Sequence, residues 1–155
     1  MMTDNKIYRP CVGIALFNKD GHVFIGERID TPSAWQMPQG GIDEGEDIKA
    51  AALRELKEET GVHNVEIISV AKELIRYDLP EHLQNKLWNG IFAGQEQTWV
   101  AARFLGDDHE IDIKAFDPPE FSDWKWVPLE DTLNHIVPFK RDVYQRVISL
   151  FSDIT

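Results

Sequence analysis

The chain has 155 residues, a length that suits one domain around one sizeable hydrophobic core. Hydrophobic residues make up 43% and aromatics 10%, which excludes a disordered chain. Sixteen basic against 27 acidic residues give a formal charge of −11, so the overall field repels nucleic acid. Any phosphate-rich ligand must then meet a local basic patch or a bound metal.

In chain order, the start MMTDNKIYRP lacks the apolar core of a signal peptide. From Tyr8 to Phe17, Val12, Ile14 and Leu16 alternate with smaller residues, which predicts a strand. Cys11, the single cysteine, allows no internal disulfide, fits a reducing compartment and reads as a packed core residue. Asn18 to Gly21 is a turn, and His22 to Arg28 is the expected return strand of a hairpin. After a loop over Asp30 to Ser33, the run Trp35 to Gln39 leads, extended, into Gly40-Gly41.

The segment GGIDEGEDIKAAALRELKEETGV, residues 40–62, organises the rest. Asp43, Glu44, Glu46 and Asp47 load acid where a helix N-terminus favours negative charge. From Asp47 to Thr60 good helix formers dominate without Gly or Pro, and Gly61 stands where a left-handed C-cap is expected. On this helix Ala52, Leu53 and Leu56 are expected to form a narrow apolar stripe. Glu55, Glu58 and Glu59, at spacings i, i+3 and i+4, bring three carboxylates to a different side, with Arg54 alone placed to relieve their repulsion. By itself this reads either as a solvated acidic helix face or as a site for a hard divalent cation, which takes carboxylate oxygens.

Farther on, Val65 to Leu74 is a strand candidate whose second half is ambiguous, and Tyr77 to Gly94 has the length and composition of a functional loop. Gln97 to Leu105 alternates, with Trp99 on one face and Val100, Ala102 and Phe104 on the other. Asp117-Pro118-Pro119 breaks the chain before a short strand over Phe121 to Val127, whose Trp124 and Trp126 share a face. Leu129 to Ile136 is expected as a short helix, and Phe139 to Phe151 as a closing amphipathic helix through Val143, Val147, Ile148 and Phe151. Trp35, Trp99, Trp124 and Trp126 are assigned to the core, and the five histidines carry no metal spacing. No 18-residue apolar stretch, repeat or domain linker occurs, so residues 1–155 are expected to form one soluble, cytoplasmic α/β domain.

The spacing Gly40, five residues, Glu46, seven residues, then Arg54-Glu55-Leu56-Lys57-Glu58-Glu59-Thr60-Gly61-Val62 matches the Nudix box at every fixed position. The chain therefore resembles the Nudix hydrolase superfamily. Outside the box, Tyr8-Arg9-Pro10 with Val12-Gly13, Trp35 to Gly41, Tyr77 to Pro80, Gly94-Gln95 to Trp99, Pro119-Glu120-Phe121, Trp124 to Trp126 and Phe139-Lys140-Arg141 look like a narrower subgroup. Those relatives are the bacterial RNA pyrophosphohydrolases and the plant-type asymmetrical diadenosine tetraphosphate hydrolases. Thr98 departs from the subgroup, which usually carries Lys before that tryptophan.

The resemblance implies an α/β/α sandwich with a mixed sheet and Mg²⁺-dependent hydrolysis, with Mn²⁺ or Zn²⁺ as substitutes. Glu55, Glu58, Glu59 and Glu120 are the implied metal ligands, and Glu59, Glu120 and Glu58 the implied catalytic acids. Glu59 and Glu120 are the two candidates for activating water. Arg54 is expected to pair with Glu46 and hold the loop to the helix. Gly40 and Gly41 are expected to supply φ > 0 or close backbone approach to phosphate. Arg9, Arg28, Gln39, Gly40 and Lys140, with Arg141, are the implied phosphate contacts, and Tyr77, Val137 and Phe139 the surfaces that stack or sandwich a base. The expected substrate is a nucleoside polyphosphate or the 5′ end of RNA, without membrane or obligate protein partner. The alternatives are a nucleotide-pool sanitising enzyme and a non-hydrolytic nucleotide- or RNA-binding module; the intact acidic triad speaks against the second.

Overall fold

In a computed structural model, which describes residues 7–80 and 92–154, the first strand β1 (Tyr8–Phe17) is the spine. Cys11 to Phe17 are buried without interruption, although simple alternation would leave one face wet. The reason is that both faces are covered. Val12, Ile14 and Leu16 point to a cluster with Ala51, Ala52 and Leu56, whereas Ala15 and Phe17 join one with Val143, Tyr144, Val147 and Phe151. Helices therefore sandwich the sheet, giving three layers, α/β/α.

β1 pairs in parallel with β7 (Gly94–Phe104) over its whole length. On its other edge it meets β4 (Gln39–Gly41) and, through the turn at Asn18, β2 (Val23–Arg28). β2 carries β3 (Trp35–Gln36) and β8 (Phe121–Val127), while β7 also pairs antiparallel with β5 (Val65–Val70) and β6 (Ile75–Asp78). The sheet is thus mixed. β7 splits its residues as its alternation requires, Trp99 and Ala101 to one cluster and Val100, Ala102 and Phe104 to the other. Trp124 and Trp126 both pack on Phe24, one stacked and one edge-on.

The helix α1 (Ile48–Thr60) begins at Asp47, whose side chain accepts from the Ala50 N–H, and ends at Gly61, φ 73°, whose N–H bonds the Lys57 carbonyl. Asp47 alone of the four expected acids caps it, because Glu46 is bound elsewhere. Leu53 corrects the expected stripe: it is exposed, and α1 meets the sheet through Ala51, Ala52 and Leu56 instead. Two small residues bring the helix backbone near the strands, leaving a contact too narrow to include position 53.

Other expectations shift at their edges. The strand over Val65 to Leu74 ends at Val70, and β6 takes Tyr77 and Asp78 from the start of the expected loop; Ile75 and Tyr77 bury while Arg76 and Asp78 face out, the alternation of a half-covered strand. Of the remainder of that loop, residues 81–91, with Asn85 and Asn89, lie outside the described residues, and Gly94 already belongs to β7. Leu129–Asn134 is a 3-10 segment, and the closing helix α2 (Arg141–Phe151) follows a 3-10 turn over Pro138–Lys140. No helix among the described residues is long and apolar enough to cross a membrane.

Gly13 lies opposite Trp99 in the parallel register, and a Cβ there would come within 2.6 Å of the indole ring. Gly13→Ala is therefore expected to destabilise the fold by ~1–3 kcal/mol, the usual cost of overpacking a rigid core. Urea unfolding at unchanged m-value measures it; a cost below ~0.5 kcal/mol would mean that the indole has room to move.

Candidate active site

A cavity of about 580 Å³ opens at the end of the sheet where β1 starts, walled by β4, β6, β7 and the turn before α2. Its walls carry both signs of charge. Glu55 and Glu59 of α1 face the cavity with Glu120 at the rim, and Arg9, Arg28 and Lys140 line the same space.

Glu59 is only 4% exposed. Burial drives its carboxyl well above the usual carboxylate range, a hydrogen bond to Glu55 and the charges of Glu55 and Glu120 add to this, and the Gln39 backbone N–H opposes it. Burial and the neighbouring carboxylates thus favour the protonated form of Glu59, as they do for buried paired carboxylates with nothing positive between them. Burial also raises the Glu120 carboxyl, with Asp30 and Glu55 adding and Arg28 opposing.

Glu58 departs from the expected cluster. It does not line the cavity; its carboxylate bonds Arg54 Nη1 at 3.2 Å. The same nitrogen donates to Glu55 Oε1 at 2.8 Å. Arg54 Nε and Nη2 grip both oxygens of Glu46 at 2.8 Å, and Nη2 also reaches the Gly41 carbonyl at 2.9 Å. One guanidinium therefore ties the loop before α1 to two helix carboxylates. Hydrogen bonding to Arg54 and to the Asp43 N–H holds the Glu46 carboxyl down at about 2. With the acids so engaged, no three His, Cys, Asp or Glu side chains form a ready metal cage among the described residues.

Neither Gly40 nor Gly41 has positive φ, which removes that half of the expectation. Their need is space: a Cβ on Gly40 would meet the Glu55 carboxylate at 2.2 Å, and one on Gly41 the Arg9 guanidinium at 2.5 Å. Arg141 also departs from expectation. Its guanidinium bonds the Leu133 carbonyl and does not reach the cavity. Arg9, Arg28, Gln39, Gly40, Tyr77, Val137, Phe139 and Lys140 all line it; Thr98 does not. Tyr77 and Phe139 sit 6.1 Å apart, with Lys140 Nζ 5.9 Å from each ring. Burial and then the Arg28 charge push the Lys140 amine down to about 8, against Cys11 and Asp30. Cys11 itself is fully buried and its thiol is pushed up to about 11 by burial, which leaves it without nucleophilic use at neutral pH.

Sequence reasoning missed Gln36, Gln95 and Asp30 as cavity residues. Gln36 accepts from Lys140 Nζ at 3.4 Å, and Asp30 bonds Arg28 at 2.8 Å. Only the alternation of Gln95, Gln97 and Trp99 hinted that Gln95 shares a face with a core residue.

A model of the NUDIX domain matches residues 7–147. The chain belongs to the Nudix family. An RNA pyrophosphohydrolase of Wolbachia pipientis subsp. Culex pipiens is 50% identical over 154 residues, covering 99% of this chain and 95% of that relative. One of Novosphingobium aromaticivorans is 54% identical over 151 residues, 95% of this chain and 94% of the relative. The E. coli dihydroneopterin triphosphate pyrophosphohydrolase superposes with a TM-score of 0.71 at 20% identity, covering 93% of this chain and 99% of that one, and shares the Nudix fold. Nudix hydrolases generally use a divalent metal such as Mg²⁺. The donor set here fits one: Glu55, Glu59 and Glu120 offer hard carboxylate oxygens to one cavity, and the proton that Glu59 keeps is what a dication replaces.

Proposed function

We propose that this chain hydrolyses the 5′-triphosphate end of RNA, releasing pyrophosphate and leaving a 5′-monophosphate. The observation that carries the reading is the single cavity lined by Glu55, Glu59 and Glu120 together with Arg9, Arg28 and Lys140, beside the Tyr77–Phe139 pair. Roughly half identity along nearly the whole chain to relatives named RNA pyrophosphohydrolase favours RNA as the substrate. The same cavity accepts dinucleoside polyphosphates, cutting the tetraphosphate into ATP and AMP.

Glu55, Glu59 and Glu120 are the residues that would hold Mg²⁺, or Mn²⁺ or Zn²⁺ in its place. When bound, such a cation neutralises charge on phosphoryl oxygens and lowers the pKa of a coordinated water. Glu59 or Glu120 takes the proton of the attacking water. Arg54 keeps Glu55 aimed into the cavity while its grip on Glu46 fixes the loop. Arg9, Arg28 and Lys140 bind the phosphates, and Tyr77, Val137 and Phe139 sandwich a base. Residues 1–155 act as a single domain in the cytoplasm, without an obligate protein partner.

The test compares kcat/KM with Mg²⁺ on a short 5′-triphosphate RNA and on diadenosine tetraphosphate, with products identified. Preference for RNA with pyrophosphate release upholds the reading. Preference for the dinucleotide, giving ATP and AMP, makes that its main substrate, and turnover of neither rejects both.

Lys140 gives a pH dependence with a definite sign. Its protonated form binds phosphate, and its free-state value of about 8 means that this form is lost as pH rises through 8. kcat/KM is expected to fall above pH ~8 while kcat at saturation holds, because bound phosphate keeps the amine charged. Lys140→Met should raise KM ~10-fold or more and abolish that limb, as loss of a charge-assisted contact requires.

A further inference from the structure

Three buried polar side chains behind the cavity form a chain with only one self-consistent orientation. Trp99 Nε1 lies 2.8 Å from one terminal atom of Gln97. An indole N–H donates and cannot accept, so that atom is the Gln97 oxygen. The Gln97 amide nitrogen therefore points the other way, donating to Gln95 Oε1 at 2.8 Å and to Gln39 Oε1 at 3.2 Å. With their oxygens so engaged, Gln95 and Gln39 are left with their Nε2 groups. Neither nitrogen has a protein acceptor among the described residues, yet no buried side-chain N or O atom there lacks a partner. Both amide nitrogens are therefore open to solvent, on two residues that line the cavity. Gln95 and Gln97 are only 3% and 2% exposed, so neither has room to reorient freely.

We propose that Gln97, pinned by Trp99, is a positioning residue that sets the Gln95 and Gln39 side-chain amides with their N–H groups facing the cavity, where they donate to phosphoryl oxygens of the substrate. The inference rests on the hydrolase reading above. The chemistry is consistent along the wall: Arg9, Arg28 and Lys140 there are donors without acceptor capacity, so two amides turned the same way make a surface that offers an anion hydrogen bonds only. A reversed amide would aim a carbonyl oxygen at the same phosphate. The core indole thus acts at a distance, because its donor-only nitrogen fixes the sense of every bond after it. Gln39 joins this relay to the acidic residues, since its backbone N–H bonds Glu59.

The test uses the full chain and inorganic pyrophosphate as the probe. In ¹H–¹⁵N spectra, pyrophosphate is expected to move the side-chain NH₂ signals of Gln95 and Gln39. Gln97→Glu keeps an acceptor for Trp99 but demands N–H from Gln95 and Gln39, turning their oxygens to the cavity. It should abolish those movements and raise KM for 5′-triphosphorylated RNA ~10-fold or more, with kcat within ~3-fold, as loss of charge-assisted hydrogen bonds predicts. Because Glu also brings charge, the neutral Gln97→Leu serves as second variant; freeing both amides without reversing them, it should raise KM by a smaller factor. Should pyrophosphate move the backbone signals of Arg9 and Lys140 but not the two side-chain amides, the relay is wrong and the hydrolase reading stands. An equal KM for both variants, or an effect confined to kcat, likewise overturns the relay. Absence of any cavity shift together with no turnover of RNA removes both.

Discussion

Glu59→Gln is expected to lower kcat at least ~10²-fold on 5′-triphosphorylated RNA, the scale seen when a preorganised charge stabiliser is lost. The physical reason lies in its burial. A carboxyl this enclosed, with Glu55 as its hydrogen-bond partner and Glu120 nearby, resists ionisation in the fold, and a bound cation would offset that cost. Gln keeps the size and the hydrogen bond but carries no charge for a metal. The sign of the stability change is opposite. Without metal, the folded value of Glu59 lies above its unfolded value of about 4.5, so the folded state binds the extra proton and stability falls as pH rises above that point. Gln has no such loss, and metal-free Glu59→Gln is expected to melt at or above the wild-type Tm at neutral pH. It should also lose most of the Mg²⁺-induced rise in Tm, because that rise reports binding to the native state alone. Near-normal turnover would place the chemistry elsewhere. A lower Tm with lost turnover would mark a folding defect instead.

The second large effect centres on Arg54. Its guanidinium makes five hydrogen bonds, to Glu46, Glu55, Glu58 and the Gly41 carbonyl. Arg54→Ala leaves three carboxylates within one turn and a loop with no positive partner, and is expected to cost ~1–3 kcal/mol in urea unfolding. It should also lower kcat, because Glu55 loses the contact that aims it. Arg54→Lys should recover little of either: an ammonium is a point charge and cannot hold both Glu46 oxygens while reaching Glu55 and Glu58. A lysine variant with wild-type stability and turnover would show that charge alone, rather than the planar fork, matters at this position. Glu46 adds an acid limb. Its folded value near 2 lies below the ordinary 4.5, so its contribution is present above 4.5 and lost as pH falls through 2. The lysine variant should show a weaker version of that limb.

Local chemistry made much of this protein legible as sequence. The helix over Ile48–Thr60 follows from its formers, its Asp47 cap and the left-handed Gly61, all of which act within a few residues. Strands β1, β7 and β8 follow from alternation. The Nudix box placed Arg54 beside Glu46 and put Glu55 and Glu59 on one helix face, because spacing on a helix fixes direction.

Tertiary structure decided what spacing cannot express. Leu53 and Leu56 look equivalent on paper, yet the approach of α1 to the sheet through two alanines buries one and leaves the other in water. Glu58 shares the helical spacing of its neighbours but turns to Arg54, because the loop carrying Glu46 brings that guanidinium across its side of the helix. β6 stayed hidden because four alternating residues signal a strand only once β7 lies beside them. Arg141 and Lys140 are adjacent in sequence, and the turn that opens α2 sends one to the Leu133 carbonyl and the other into the cavity. The glutamines show the limit most plainly. Their types and order stand in the sequence, but which end of each amide faces substrate depends on Trp99 lying behind them. Local residue order thus determined the elements and the acidic helix, while the sense and direction of each side chain came from partners distant in the chain.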